Sequence, residues 1–281
     1  MNTLSGTAYP NTSKWRGSVE ASIKGVIVAG DQVDDGCAMF SGDDPGCEVQ
    51  WDQYTRYFKV NPDPSDPIVC RYPALEGMGN HDGGNSTDKK TGLVRRGVIE
   101  RNRQRALHPA HAGYESYSTS TNGLHSSWDW GGVHFAMLGV YPGTEGDCAT
   151  PGLGNPGRGC CAANQTGDCW GWHSPEHSLE FLKADLAEQE RATPIVLFMH
   201  YGLRGFGSPG GAPWAGYSPD FWWEAEPWLR PSPRSESSRL SRSPLSRWSA
   251  REARAFADAI AAHNIVAIVH GHTHACVFYQ W

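Results

Sequence analysis

The amino-acid sequence predicts an α/β fold, and three observations carry that prediction. Apolar, β-branched runs of strand length recur at residues 25–29, 194–199 and 265–269. Helical periodicity fills stretches between them, so that helices feed the next strand, the ordering of an α/β domain. Each run ends in Asp or His, and a shorter extended segment at 73–79 ends in Asn and His. Open α/β sheets place their ligand sites at such carboxyl edges.

In chain order, Lys24-Gly25-Val26-Ile27-Val28-Ala29 forms the first strand and opens into Gly30-Asp31-Gln32-Val33-Asp34. Residues 51–60 read as a short helix. Pro73-Ala74-Leu75-Glu76-Gly77-Met78 is a short extended segment that delivers Gly79-Asn80-His81-Asp82. Residues 92–107 form a basic amphipathic helix whose charge run reads as a solvated face. Residues 124–130 and 133–141, joined by Gly131-Gly132, form a β-hairpin. His134, within its second strand, is taken as structural. Ser174, Pro175 and Glu176 open a helix that places Leu179, Leu182 and Leu186 on one face. The run at 194–199 ends at His200. Ser249 precedes a helix through Ala262 that carries Phe256 and Ile260 inward. The last run, a buried strand, leads into Gly271-His272-Thr273-His274, where two imidazoles at i and i+2 of an extended segment face the same way.

Two segments depart from this alternation. Residues 201–228 are rich in Gly, Pro and aromatics, and form either one wall of a substrate cleft or a compact loop burying its own tryptophans. Residues 230–247 are rich in Ser, Arg and Pro and read as a solvated insertion. The chain of 281 residues is one domain with loop insertions at about 143–172 and 201–247.

The net charge of −6 argues against general nucleic-acid binding. No apolar stretch reaches the length that crosses a membrane. Cys148, Cys160, Cys161 and Cys169 lie in a Gly/Pro/Asn-rich stretch and lack the paired spacing of a zinc knuckle, so they suggest a disulfide-stapled loop. Cys37, Cys47 and Cys70 suggest a second bridge. Eight cysteines in loop context, with sequons at Asn11, Asn85 and Asn164, favour a secreted or periplasmic protein.

Asp, Asn and His at four strand ends are oxygen and nitrogen ligands for divalent metals. At this point the chain resembles the calcineurin-like metallophosphoesterase family. The resemblance rests on Gly30-Asp31-Gln32-Val33-Asp34, Gly79-Asn80-His81-Asp82, Met199-His200 and Gly271-His272-Thr273-His274, in the family's order, and spans residues 23–276.

The resemblance implies a four-layer α/β/β/α sandwich of two mixed sheets flanked by helices, and a site for two divalent ions, Zn, Mn or Fe. Asp31 would bridge the ions. Asn80, His200 and His272 would complete the protein shell of one, and His274 would bind the other. His81, which does not bind metal in the family, would stand beside the scissile phosphate and either stabilise the charged phosphoryl group or help protonate the leaving oxygen, and Asp82 would orient its imidazole by accepting the other ring proton. Asp34 would support the bridging aspartate. The implied reaction is hydrolysis of a phosphomonoester or diester, including nucleotides or phospholipid headgroups, by a hydroxide held between ions about 3.5–4 Å apart. A tyrosine usual in purple acid phosphatases is replaced by Asp34, which disfavours that branch.

The family's first motif, Asp-x-His, is absent: residues 1–30 contain no Asp and no His, and the first histidine is His81. The expectation is that Met1 is internal to a longer protein whose upstream segment carries that motif, and that the chain is truncated at its N-terminus; the stop at Trp281, soon after Gly271-His272-Thr273-His274, supports truncation at the other end too. The chain alone is then expected to be poorly active. A stop codon upstream of Met1 before any in-frame Asp-x-His would exclude this. The alternative is a non-catalytic phosphate-binding or scaffold protein that has lost one metal site. A metal-storage or transport module is a third reading, and it would not depend on His81.

Overall fold

The computed structural model describes residues 24–33, 46–63, 65–82, 92–108, 114–144, 176–201 and 250–271, side chains being described at most of them. They form a mixed α/β arrangement with a two-stranded parallel sheet, a five-stranded mixed sheet and four helices.

The small sheet pairs β1 (Val26–Val28) with β2 (Ala74–Glu76) in register Ile27 to Leu75. Between them lies α1 (Gly46–Tyr57), which begins and ends earlier than the helix expected over 51–60. A single 3-10 turn at Asn80–Asp82 follows β2, and α2 (Leu93–Leu107) comes after it.

The large sheet has the order β3 (Ser116–Thr119), β4 (Ser126–Trp130), β5 (Val133–Met137), β6 (Pro194–Met199) and β7 (Asn264–His270). The β3–β4–β5 part is antiparallel, and β5, β6 and β7 run parallel. The hairpin turn falls at Gly131 and Gly132, with φ of 61° and 74°, the paired positive φ that a two-residue turn requires. The edge strand β3 was not anticipated. Between β5 and β6 lies α3 (Ser178–Ala187), and α4 (Ala250–Ile260) precedes β7.

The two faces of the large sheet differ. Trp128, Phe135, Met137, Phe198 and Val196 point to one side, where Leu75 and Ile27 of the small sheet join them. Trp128 is fully buried and stacks on Phe135 at 5.6 Å. Ala136, Ile195 and Leu197 point to the other side, in one apolar cluster with Leu179, Leu182 and Leu186 of α3 and Phe256 of α4. The leucine face and Phe256 thus lie inward as the periodicity requires.

Three sequence expectations need correction. Helix α3 does not start on Ser174-Pro175-Glu176: Glu176 and His177 both have left-handed φ, and the helix begins at Ser178. The Ser178 hydroxyl donates to Tyr141 O at 2.7 Å and accepts from Gly143 N at 3.0 Å, fixing that start. Helix α2 does not simply present a solvated basic face. Arg101 and Arg105 are buried, and both bind the buried Glu76 carboxylate, at 2.6 and 2.9 Å. Tyr54 of α1 donates its hydroxyl to the same carboxylate at 3.2 Å. Burial opposes ionisation of Glu76, but the Arg105 and Arg101 guanidinium groups hold its carboxyl below the usual range. Finally, β7 is not fully buried: Val266 and Val269 are 51% and 44% exposed.

Cys70 carries a free thiol. The other seven cysteines, the sequons and the two compositionally unusual segments beyond Tyr201 lie outside the residues whose side chains are described. Among the described residues, no helix is long and apolar enough to cross a membrane.

Candidate functional site

The carboxyl ends of β1, β2, β6 and β7 converge through hydrogen bonds between loops. Beyond β1, Gly30 and Asp31 both adopt positive φ, 104° and 56°. Asp tolerates this conformation better than most residues, and such backbone outliers cluster at functional sites. The turn is held from the β2 side. Asp82 is fully buried, and its Oδ2 accepts from Asp31 N at 2.8 Å and Gly79 N at 2.7 Å. Its Oδ1 accepts from Gln32 N at 2.8 Å and Val33 N at 3.3 Å.

Those four main-chain donors fill the lone-pair positions of one carboxylate. Asp82 therefore clamps the Asp31 loop to the β2 loop. Burial and the negative charge of Asp31 push the Asp82 carboxyl up to about 7, while the N–H groups of Gly79 and Val33 and the nearby His200 pull it down. The four N–H donors favour the ionised form.

Asp31 lies between two motif histidines. Its Oδ1 accepts from the His81 backbone N–H at 2.9 Å, and its Oδ2 lies 3.1 Å from His200 Nε2. Burial raises the Asp31 pKa, but the hydrogen bond and charge of His200, with the contributions of His81, outweigh it and keep the carboxyl below its ordinary value. His200 Nδ1 stands 2.9 Å from Ala29 O. A carbonyl oxygen only accepts, so Nδ1 carries a proton. That leaves Nε2 directed at the carboxylate, to which it donates a hydrogen bond when it too carries a proton and presents a lone pair when it does not.

Packing at this edge admits no side chain at two glycines. A Cβ on Gly79 would lie 2.2 Å from Asp31 Oδ1, and one on Gly30 would lie 2.6 Å from Gly79 and 2.8 Å from His200 Nδ1. The glycines of both motifs let the loops approach until Asp31 reaches His200. On the far side, Gly271 N donates to His200 O at 3.0 Å, which brings the end of β7 to the same edge.

The structure thus brings together Asp31, His81, Asp82 and His200. The Asn80 backbone lies in the 3-10 turn between them. The Asn80 side chain, Asp34, His272 and His274 lie outside the described residues. Among the described residues no group of three His, Cys, Asp or Glu is placed to hold a metal. The donor chemistry of the pair present nonetheless fits a divalent ion. A carboxylate and an imidazole nitrogen face each other, and the imidazole donates its other N–H to a carbonyl, as metal-bound histidines do.

Sequence reasoning missed the Ala29 carbonyl and the double acceptor role of Asp82, because both act through the main chain of a distant segment. The glycines flanking Asp31 and Asn80 were the available signal. Comparison with family models, curated proteins and solved structures finds no match to this chain.

Proposed function

We propose that this chain is a metal-dependent phosphoester hydrolase of the calcineurin-like type, acting at the edge where Asp31, His81 and His200 meet. One observation carries the reading. His200, its Nδ1–H held by Ala29 O, directs Nε2 at the Asp31 carboxylate from 3.1 Å. An acidic oxygen and a basic nitrogen held face to face, with the imidazole braced from behind, are the elements of a metal shell. The packing of the small sheet on one face of the large sheet supports the four-layer α/β/β/α sandwich as the surrounding architecture. Here α1 and α2 would cover the outer face of the small sheet, and α3 and α4 that of the large one.

In this reading Asp31 and His200 hold metal, joined by Asn80, His272 and His274 on the resemblance. Two divalent ions, Zn, Mn or Fe, would supply charge to neutralise phosphoryl oxygens and lower the pKa of water. The chain's own residues do the positioning. Asp82 fixes the loop that presents Asp31, and the His81 N–H orients the Asp31 carboxylate so that Oδ2 stays turned to His200. The His81 imidazole serves as the group that protonates the leaving oxygen.

The test is hydrolysis of bis(p-nitrophenyl) phosphate and p-nitrophenyl phosphate with Mn²⁺ or Zn²⁺, by the chain alone and with an upstream Asp-x-His segment if one is encoded. Metal-dependent turnover that falls at least about 100-fold in Asp31→Ala and His81→Ala is expected, the scale of lost general-acid assistance. Silence of both forms on both esters would overturn the proposal and favour a phosphate-binding scaffold.

A further inference from the structure

A second candidate site lies on the face of the large sheet that carries α3. There, between β3 and α3, is a groove of about 760 Å³, a size typical of small-molecule sites. Strand pairing places Ser116 opposite Asp129, Ser118 opposite Ser127, and Asp129 opposite His134, all on this one face. The sheet is apolar beneath the leucines of α3 and turns polar toward its β3 edge.

The groove floor is built. His134 is buried, its Nδ1 lies 2.8 Å from Asp129 Oδ1, and its Nε2 lies 2.8 Å from Asp185 Oδ2 on α3. The Ser127 hydroxyl, itself buried, donates to the other Asp185 oxygen, and Ser116 donates to the other Asp129 oxygen. Five side chains from three strands and one helix therefore stand in a single hydrogen-bonded row. Burying such a network is costly unless every member is satisfied, and here each oxygen of both carboxylates has a donor.

That satisfaction decides the ligand chemistry. The inner carboxylates are already engaged with an imidazole and hydroxyls, so they do not offer a free pair of charges to a metal ion. Among the described residues the groove is lined by the carboxylates Glu180 and Glu188 and by no Lys or Arg, which disfavours phosphate and other anions. The rest of the described lining is a wall of hydroxyls that both donate and accept, among them Thr119 and Thr121, with the Gln189 amide and the Glu180 and Glu188 carboxylates, which accept from hydroxyl donors. The aromatic ring of Phe181 forms part of the opposite side. Hydroxyls, an amide and carboxylates matched to a ligand rich in hydroxyls, beside a flat apolar ring, suit the polar edges and C–H face of a sugar.

We propose that the groove between β3 and α3 is a saccharide-binding site, separate from the Asp31–His200 edge. The probes are maltotriose, cellotriose and chitotriose, each mixed with the full chain and followed by saturation-transfer NMR and calorimetry. At least one is expected to bind. Ala184→Arg, at an exposed α3 position lining the groove, is expected to weaken that binding about tenfold or more, about 1.4 kcal/mol, without lowering Tm. Phe181→Leu, which keeps apolar volume but removes the ring face, is expected to weaken it as well. The proposal is overturned if none of the three trisaccharides responds, if Ala184→Arg leaves binding unchanged, or if tetramethylammonium or Ca²⁺ binds there and no saccharide does. Turnover of the phosphoesters is not the readout, so failure here leaves the hydrolase reading standing.

Discussion

Gly79 illustrates how much of the candidate site depends on single atoms. The carboxylate of Asp31 occupies the space where a Gly79 Cβ would stand, 2.2 Å from Oδ1. Gly79→Ala must therefore displace either the carboxylate or the loop, and overpacking of this kind costs about 1–3 kcal/mol. Gly131→Ala is a useful control. Its φ of 61° is also left-handed, but nothing lies within 4 Å of the added methyl group, so it bears only the conformational cost of about 1–2 kcal/mol. Urea unfolding should show both variants destabilised. Only Gly79→Ala should also reduce metal-dependent phosphoester turnover, and equal loss of turnover in the two would show that Gly79 has no special relation to Asp31. At this scale the sequence was legible in residue type but not in role. Gly30, Asp31, His81 and His200 were singled out, and the structure brings them to one edge. Asp82 was singled out too, yet its two oxygens take N–H groups as many as 51 residues away, and nothing local in Gly79-Asn80-His81-Asp82 records those partners.

Among the elements, β2 is the one whose anchoring matters most, because it leads directly into Gly79 and Asn80. Its outer face is fixed by Glu76, which binds Arg101 and Arg105 of α2 while Tyr54 of α1 donates to it. Glu76→Gln would leave two buried guanidinium groups without their counter-charge, and breaking such a pair costs about 3–5 kcal/mol. Replacing all three by apolar residues, as in Glu76→Leu with Arg101→Met and Arg105→Met, should recover much of that loss in urea unfolding. No recovery would mean that the ions are needed for more than mutual compensation. Helix α2 was legible from its periodicity, but its buried arginines were not, since their partner lies 25 and 29 residues away. Strand β3 escaped for a related reason. Ser116-Tyr117-Ser118-Thr119 has no apolar run, and as an edge strand it is specified by its pairing with β4.

The linkage between β4, β5 and α3 makes a distinct pH prediction. Burial disfavours the charged form of His134, but the hydrogen bonds and charges of Asp185 and Asp129 outweigh it and raise the pKa above the ordinary 6.5. A raised folded-state pKa stabilises the fold fully below the unfolded value, and that contribution is lost as pH rises through the folded value. Stability measured by denaturant should therefore decline from about pH 6.5 upward through the folded pKa, and His134→Gln should flatten that decline. An unchanged slope in His134→Gln would assign the dependence to another group.

For the molecule as a whole, the apolar layer around Trp128 decides whether the two sheets behave as one body. Trp128 is fully buried and stacks on Phe135 and Phe198, at 5.6 and 6.2 Å. Leu75 and Ile27 of the small sheet belong to the same cluster. The alternation of strands and helices made an α/β class legible. The packing of one sheet on the other was not legible, because Trp128 and Leu75 meet across 53 positions of chain and period-2 patterns do not name their partners. Truncating a buried Trp to Ala costs about 3–5 kcal/mol, so Trp128→Ala should lower the unfolding midpoint strongly. The informative measurement is hydrogen exchange. Asp31 comes from the small sheet and His200 from the large one, so their 3.1 Å approach requires the sheets to stay together. In Trp128→Ala, amides of β2 and of β5 and β6 should lose protection in parallel, and metal-dependent turnover should fall with them. Retained protection in β2 alongside loss in β5 would show two units that open independently. The site would then be held by its loops, through Asp82 and Gly271, and not by the shared apolar layer.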